Sequence, residues 1–83
     1  MQDETTRAWT STGHARFQAR RRGIPDAAVS WVIEHYHTRR PAPPRDAALP
    51  ADILIGAYNG RDLKVYVERG SDPPKVKTVV WDG

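Results

Sequence analysis

Residues 53–68 read Ile53-Leu54-Ile55-Gly56-Ala57-Tyr58-Asn59-Gly60-Arg61-Asp62-Leu63-Lys64-Val65-Tyr66-Val67-Glu68, and this stretch decides the fold class. Asn59-Gly60 lies between two apolar runs. An Asn-Gly pair suits a two-residue hairpin turn, because both of its central residues need a positive φ. The second run alternates cleanly, with Leu63, Val65 and Val67 on one face and Lys64, Tyr66 and Glu68 on the other. That is the pattern of a strand buried on one side only.

Downstream, Gly70-Ser71-Asp72-Pro73-Pro74 is a second turn, and Lys75 to Trp81 is a third strand whose register the pattern leaves open. Upstream, Thr38 to Asp52 carries three arginines and Pro41, Pro43, Pro44 and Pro50. Proline removes backbone donors, so this segment is expected to be a connector without regular structure. It is long for so small a chain, and long loops are often functional or mobile.

Two helices precede the connector. Ala28, Val29, Val32, Ile33 and Tyr36 recur at i, i+1, i+4, i+5 and i+8, one apolar stripe of helical period with Trp31 at its edge. Pro25-Asp26 opens this helix, proline being tolerated in a first turn. Before it, Thr10-Ser11-Thr12-Gly13 offers capping residues, and His14 to Arg22 contains good helix formers. Gly23 then suits the helix stop, and Ile24 the apolar contact that accompanies it. The first helix has little apolar surface (Ala15, Ala19 and Phe17), so it is expected at the surface.

The resulting expectation is an α+β fold, with two N-terminal helices packed on a three-stranded antiparallel β-meander. It comprises one domain over residues 1–83: a flexible N-terminus at 1–10, two helices in 11–37, a proline-rich loop at 38–51 and the sheet in 52–82. A chain of 83 residues buries only roughly 60% of its unfolded surface, so the core is thin. There is no cysteine, which excludes a disulfide scaffold, thiolate metal sites and a cysteine nucleophile. The polar, acidic start (Met1 to Thr6) does not look like a signal peptide, and no apolar run approaches a membrane span. The expected location is cytoplasmic.

The net charge is +3, and its distribution is uneven. Residues 1–45 hold eight Lys/Arg against four Asp/Glu, whereas residues 46–83 hold five against six. The excess concentrates in His14 to Arg22, where Arg16, Arg20, Arg21 and Arg22 occur with no acid. Such a patch is an electrostatic footprint for a polyanion, although many basic helix faces are merely solvated.

His14, Gln18 and Arg22 are spaced by four and share one helix face. An imidazole can move a proton near neutral pH, and a guanidinium can hold a phosphate in a bidentate fork. Arg16, Arg20 and Arg21 would add sequence-blind affinity for a nucleic-acid backbone. On the outward sheet face stand Lys64, Tyr66 and either Lys77 or Thr78; Tyr66 could stack a base, though packing against Tyr58 across the strands is the commoner use. No metal site, nucleophilic triad or glycine-rich phosphate loop is evident, so no metal, cofactor or small-molecule cofactor partner is expected.

His14-Ala15 followed by Arg22-Gly23-Ile24, an amphipathic helix and a terminal Lys77-Thr78-Val79-Val80 strand resembles the domain-of-unknown-function family 4258. Members typically begin with a helix of the type HAxxRMxxRGI. Val29, Gly56, Tyr58, Leu63, Val65 and Val67 also fit, and the resemblance spans residues 12–82. Gln18 stands where the pattern has its first arginine. The family is similar to the toxin-like superfamily of barnase, EndoU, colicin nucleases and RelE. The resemblance therefore implies a RelE/barnase-like sheet cradled by two N-terminal helices, with RNA as target and, in many relatives, metal-independent cleavage. His14 would be the acid or base, Arg22 would stabilise the phosphorane and Thr78 would position the phosphate. Neither the residues nor the resemblance identifies the second proton-transfer group; Tyr66 and Lys64 are the candidates. A cognate antitoxin or another acidic protein is the implied protein partner. The competing expectation is a non-catalytic nucleic-acid- or protein-binding module of the same fold.

Overall fold

Asn59 and Gly60 adopt φ of 53° and 79°, and the strands on either side pair in the register this tight turn sets, Tyr58 opposite Arg61. The computed structural model describes residues 9–45 and 48–82. In chain order the elements are β1 (Thr10–Ser11), α1 (Gly13–Arg21), α2 (Asp26–His35), β2 (Thr38–Pro41), β3 (Ala51–Tyr58), β4 (Arg61–Glu68) and β5 (Lys75–Asp82).

The sheet corrects the expected three-stranded meander. It has five strands in the order β1-β5-β4-β3-β2 and is mixed, because β1 runs parallel to β5 while the other pairs are antiparallel. The α+β class stands. Both additional strands are edges. In β2, Pro41 ends the strand, where a missing donor is tolerated, and the exposed Arg39 and Arg40 suit an edge. The connector thus gives its first four residues to the sheet. At the other edge Thr10 and Ser11, expected only as flanking cap residues, pair with Lys75 and Val76. Of the N-terminus expected to be flexible, residues 1–8 lie outside the described residues. Trp9 and Thr10 are held in place: the Trp9 indole donates to Ser30 Oγ at 2.8 Å, and Thr10 N donates to the Pro74 carbonyl at 2.9 Å.

The core lies between the helices and one face of the sheet. Ala28, Val29, Val32 and Ile33 of α2 are buried against Leu54, Leu63, Val65, Val67, Val76 and Val79. Each large aliphatic side chain so buried contributes about 1.5–3 kcal/mol relative to exposure. Tyr36, the expected end of the α2 stripe, follows the helix and is exposed. Helix α1 contributes Ala15 fully and Ala19 partly, while Phe17 is 57% exposed. It ends at the glycine stop: Ile24 N donates to Ala19 O at 2.8 Å and Gly23 N to Arg20 O at 3.3 Å, with Ile24 buried.

Tyr58 and Tyr66 do not pack together. Tyr58 lies against the helix-side core, whereas Tyr66 pairs with Ile53 and Thr78 on the opposite face. Alternation along β3 and β4 separates them. Among the described residues no helix is long and apolar enough to cross a membrane.

Candidate functional site

The face of the sheet turned away from α2 forms the floor of an open groove of about 1010 Å³. Helix α1 forms one wall and the proline-rich loop after β2 forms the other. His14, Gln18 and Arg22 line the first wall, Tyr66, Lys77 and Thr78 the floor.

The start of α1 is pinned by Thr12. Its hydroxyl accepts from Ala15 N at 3.0 Å, the N-cap bond, and donates to the Lys77 carbonyl at 3.4 Å. Thr12 N donates to Val76 O at 3.0 Å. His14, two residues later, is exposed toward the groove. One turn on, Gln18 Oε1 is buried without a hydrogen-bond partner among the described residues. At the far end Arg22 Nη1 donates to the Val79 carbonyl at 2.7 Å, and the Trp81 indole donates to the Arg22 carbonyl at 3.0 Å. The groove-facing side of α1 is therefore fastened to β5 at both ends.

The floor contains a register shift between β4 and β5. Tyr66 pairs with Thr78 and Val67 with Val76, so Lys77 is an extra residue in a β-bulge. Bulges re-aim side chains and recur beside functional sites. Val76 and Val79 are both buried three residues apart, which leaves the two residues between them for the groove side. This resolves the register left open in the sequence: both Lys77 and Thr78 line the groove.

The loop wall is largely apolar, with Pro43, Pro44, Leu49 and Pro50, and it also carries Arg45. Its base closes through Ala42 N to Ala51 O at 2.9 Å, and Arg69 N donates to Pro50 O at 2.9 Å. No Asp or Glu occurs among the described residues lining the groove, while Arg22, Arg45, Arg69 and Lys77 do. Arg69 is partly neutralised: Asp52, 8% exposed, accepts from Arg69 Nε at 3.1 Å and from Arg39 Nη2 at 2.9 Å. Burial pushes the Asp52 carboxyl upward, but the hydrogen bonds and charges of the two arginines outweigh this and hold it below its ordinary value.

Four expected contact residues lie outside the groove lining. Arg16 turns back to the Ser11 carbonyl at 2.9 Å; Arg20 and Arg21 are exposed. Lys64 shares the floor's face but lies 3.9 Å from Asp82, outside the lining. Thr12, Arg45 and Arg69 also line the groove without a motif that marks them, and Lys77 lies there together with Thr78 and not as an alternative to it. The Val76-to-Val79 spacing is the signal that could have found Lys77; nothing periodic links the loop to α1. Among the described residues no group of three His, Asp or Glu side chains is placed to hold a metal ion.

Fold and groove define a small α+β domain with a basic cleft on its sheet. The family model described as Domain of unknown function (DUF4258) matches residues 11–81, and the chain belongs to that family. Comparison with curated proteins found no match, and neither did comparison with solved structures.

Proposed function

We propose that this is a toxin-like, RNA-targeting domain that holds a single RNA strand in the groove and cleaves it without a metal ion. The observation that carries the reading is the convergence, in one groove without a described carboxylate, of His14, Arg22, Tyr66, Lys77 and Thr78. A cationic channel favours a phosphodiester chain, and a tyrosine on its floor offers a stacking surface for an unpaired base. Gln18 lines the same wall as His14 and Arg22, but its Oε1 is buried and without a partner among the described residues, so that atom faces the protein interior and not the ligand.

In the reaction, one group removes the 2′-OH proton and the 2′ oxygen attacks the adjacent phosphorus. The P–O5′ bond breaks, and the second group returns a proton to the leaving oxygen. The products are a 2′,3′-cyclic phosphate and a 5′-hydroxyl end. His14 supplies one proton transfer and Tyr66 is the candidate for the other. Arg22, one of whose N–H groups is already engaged by Val79, stabilises the phosphorane with the remainder. Thr78 positions the phosphate. Arg20, Arg21 and the exposed Phe17, away from the groove, suit an acidic protein partner of the antitoxin kind.

A second reading is a binding module that does not cut. It is favoured by the single imidazole of the groove and by Gln18, which stands at the family pattern's arginine position. Purified protein incubated with labelled RNA in EDTA separates the two. Cleavage that disappears in His14→Ala supports the enzyme, and salt-sensitive binding without cleavage supports the module. Absence of binding at low salt overturns both.

A further inference from the structure

Lys77 is held on the groove floor by a β-bulge in β5, which also keeps Val76 in the core. Strict alternation inward from Val79 would place Thr78 on the groove side, Lys77 in the core and Val76 outside. The bulge instead keeps Val76 buried at 1% exposure and leaves Lys77 and Thr78 together opposite Tyr66. A bulge interrupts the ladder locally, and here Thr12 bonds to both residues at the interruption, through its N–H to Val76 O and its hydroxyl to Lys77 O. The same hydroxyl caps α1 two residues before His14. One side chain thus sets the backbone of Lys77 and the start of the helix that carries His14. Lys77 makes no ion pair among the described residues, whereas Lys64, on the same sheet face, is close to Asp82 and Lys75 to Glu68.

We propose that Lys77 is the phosphate-binding cation of the groove floor, held there by the bulge, and that Thr12 is the positioning residue that registers it against His14. The inference rests on the reading of the groove as a polyanion site and adds the residue that contacts the phosphate from the sheet side. An ammonium ion is a compact donor with three N–H groups, suited to a non-bridging phosphate oxygen as a point charge. Arg22, tied to Val79, approaches from the helix side.

The test is fluorescence anisotropy of the intact domain with a labelled single-stranded RNA and, in parallel, competition by linear inorganic polyphosphate, across a series of salt concentrations. Lys77→Met is compared with Lys64→Met, the control on the same face. The expected result is a roughly 5- to 10-fold weaker affinity for Lys77→Met and a salt slope smaller by about one, with Lys64→Met unchanged. Thr12→Val, with folding checked by circular dichroism, should weaken binding, and Thr12→Ser should restore it. Lys77→Met binding RNA like wild type overturns the assignment and leaves the RNA reading intact, as does an equal loss in Lys64→Met. Lys77-dependent binding of polyphosphate without RNA binding upholds Lys77 and overturns the RNA reading. Failure to bind either polyanion overturns both.

Discussion

Arg22 Nη1 donates to the Val79 carbonyl at 2.7 Å, joining the last residue of the α1 cap to the strand beneath it. The bond satisfies a β5 carbonyl that β1, only two residues long, does not reach. It also sets one wall of the groove against the floor.

Replacing Arg22 with alanine should therefore cost stability as well as binding. Losing one charge-assisted hydrogen bond is worth about 1–2 kcal/mol. Urea denaturation should show a lower midpoint with an unchanged slope, and Arg22→Lys should recover only part of the loss because it lacks the planar fork.

Asp52 gives the domain an acid-sensitive element. Its folded-state pKa lies below the ordinary value, so its contribution is fully present above the unfolded carboxylate's value of roughly 3.9. That contribution is lost as pH falls through the lower folded value. In wild type, stability measured by urea denaturation should fall as the pH drops below about 4. In Asp52→Asn this component of the slope should be missing, and stability at neutral pH should be about 1–2 kcal/mol lower, because Arg39 and Arg69 lose their counter-charge but can be hydrated.

Gly56 lies close against Val32 of α2 and against Tyr36, which caps that helix. A Cβ there would lie 3.3 Å from Tyr36 Cα and 3.4 Å from Val32 Cγ2. Gly56→Val should destabilise the domain by about 1–3 kcal/mol through overpacking, read as a lower thermal midpoint. Gly56→Ala should cost less.

The parts of the fold legible in the sequence were those with apolar periodicity: the Asn59-Gly60 hairpin, the alternation from Leu63 to Val67 and the stripe of α2. The edge strands carried no such signal. Arg39-Arg40-Pro41 is exposed along its length, and Thr10-Ser11 has the composition of a cap, because an edge strand is recruited by its neighbour's backbone rather than by its own burial. Half of the groove was legible for a similar reason. The spacing of His14, Gln18 and Arg22 announces a shared helix face, but only tertiary structure sets that face across from Pro43, Pro44, Leu49 and Pro50 and beside Tyr66. Arg20 and Arg21, expected to add affinity for a nucleic-acid backbone, lie off the groove although they belong to the same basic run.

The most direct test of the groove as an RNA site is an NMR titration of ¹⁵N-labelled protein with a short single-stranded RNA at low salt. Amide shifts and broadening are expected to concentrate at His14, Gln18, Arg22, Tyr66, Lys77 and Thr78 and to shrink as salt rises. Perturbations confined to the Phe17, Arg20 and Arg21 face, or none at all, would contradict the groove as an RNA site.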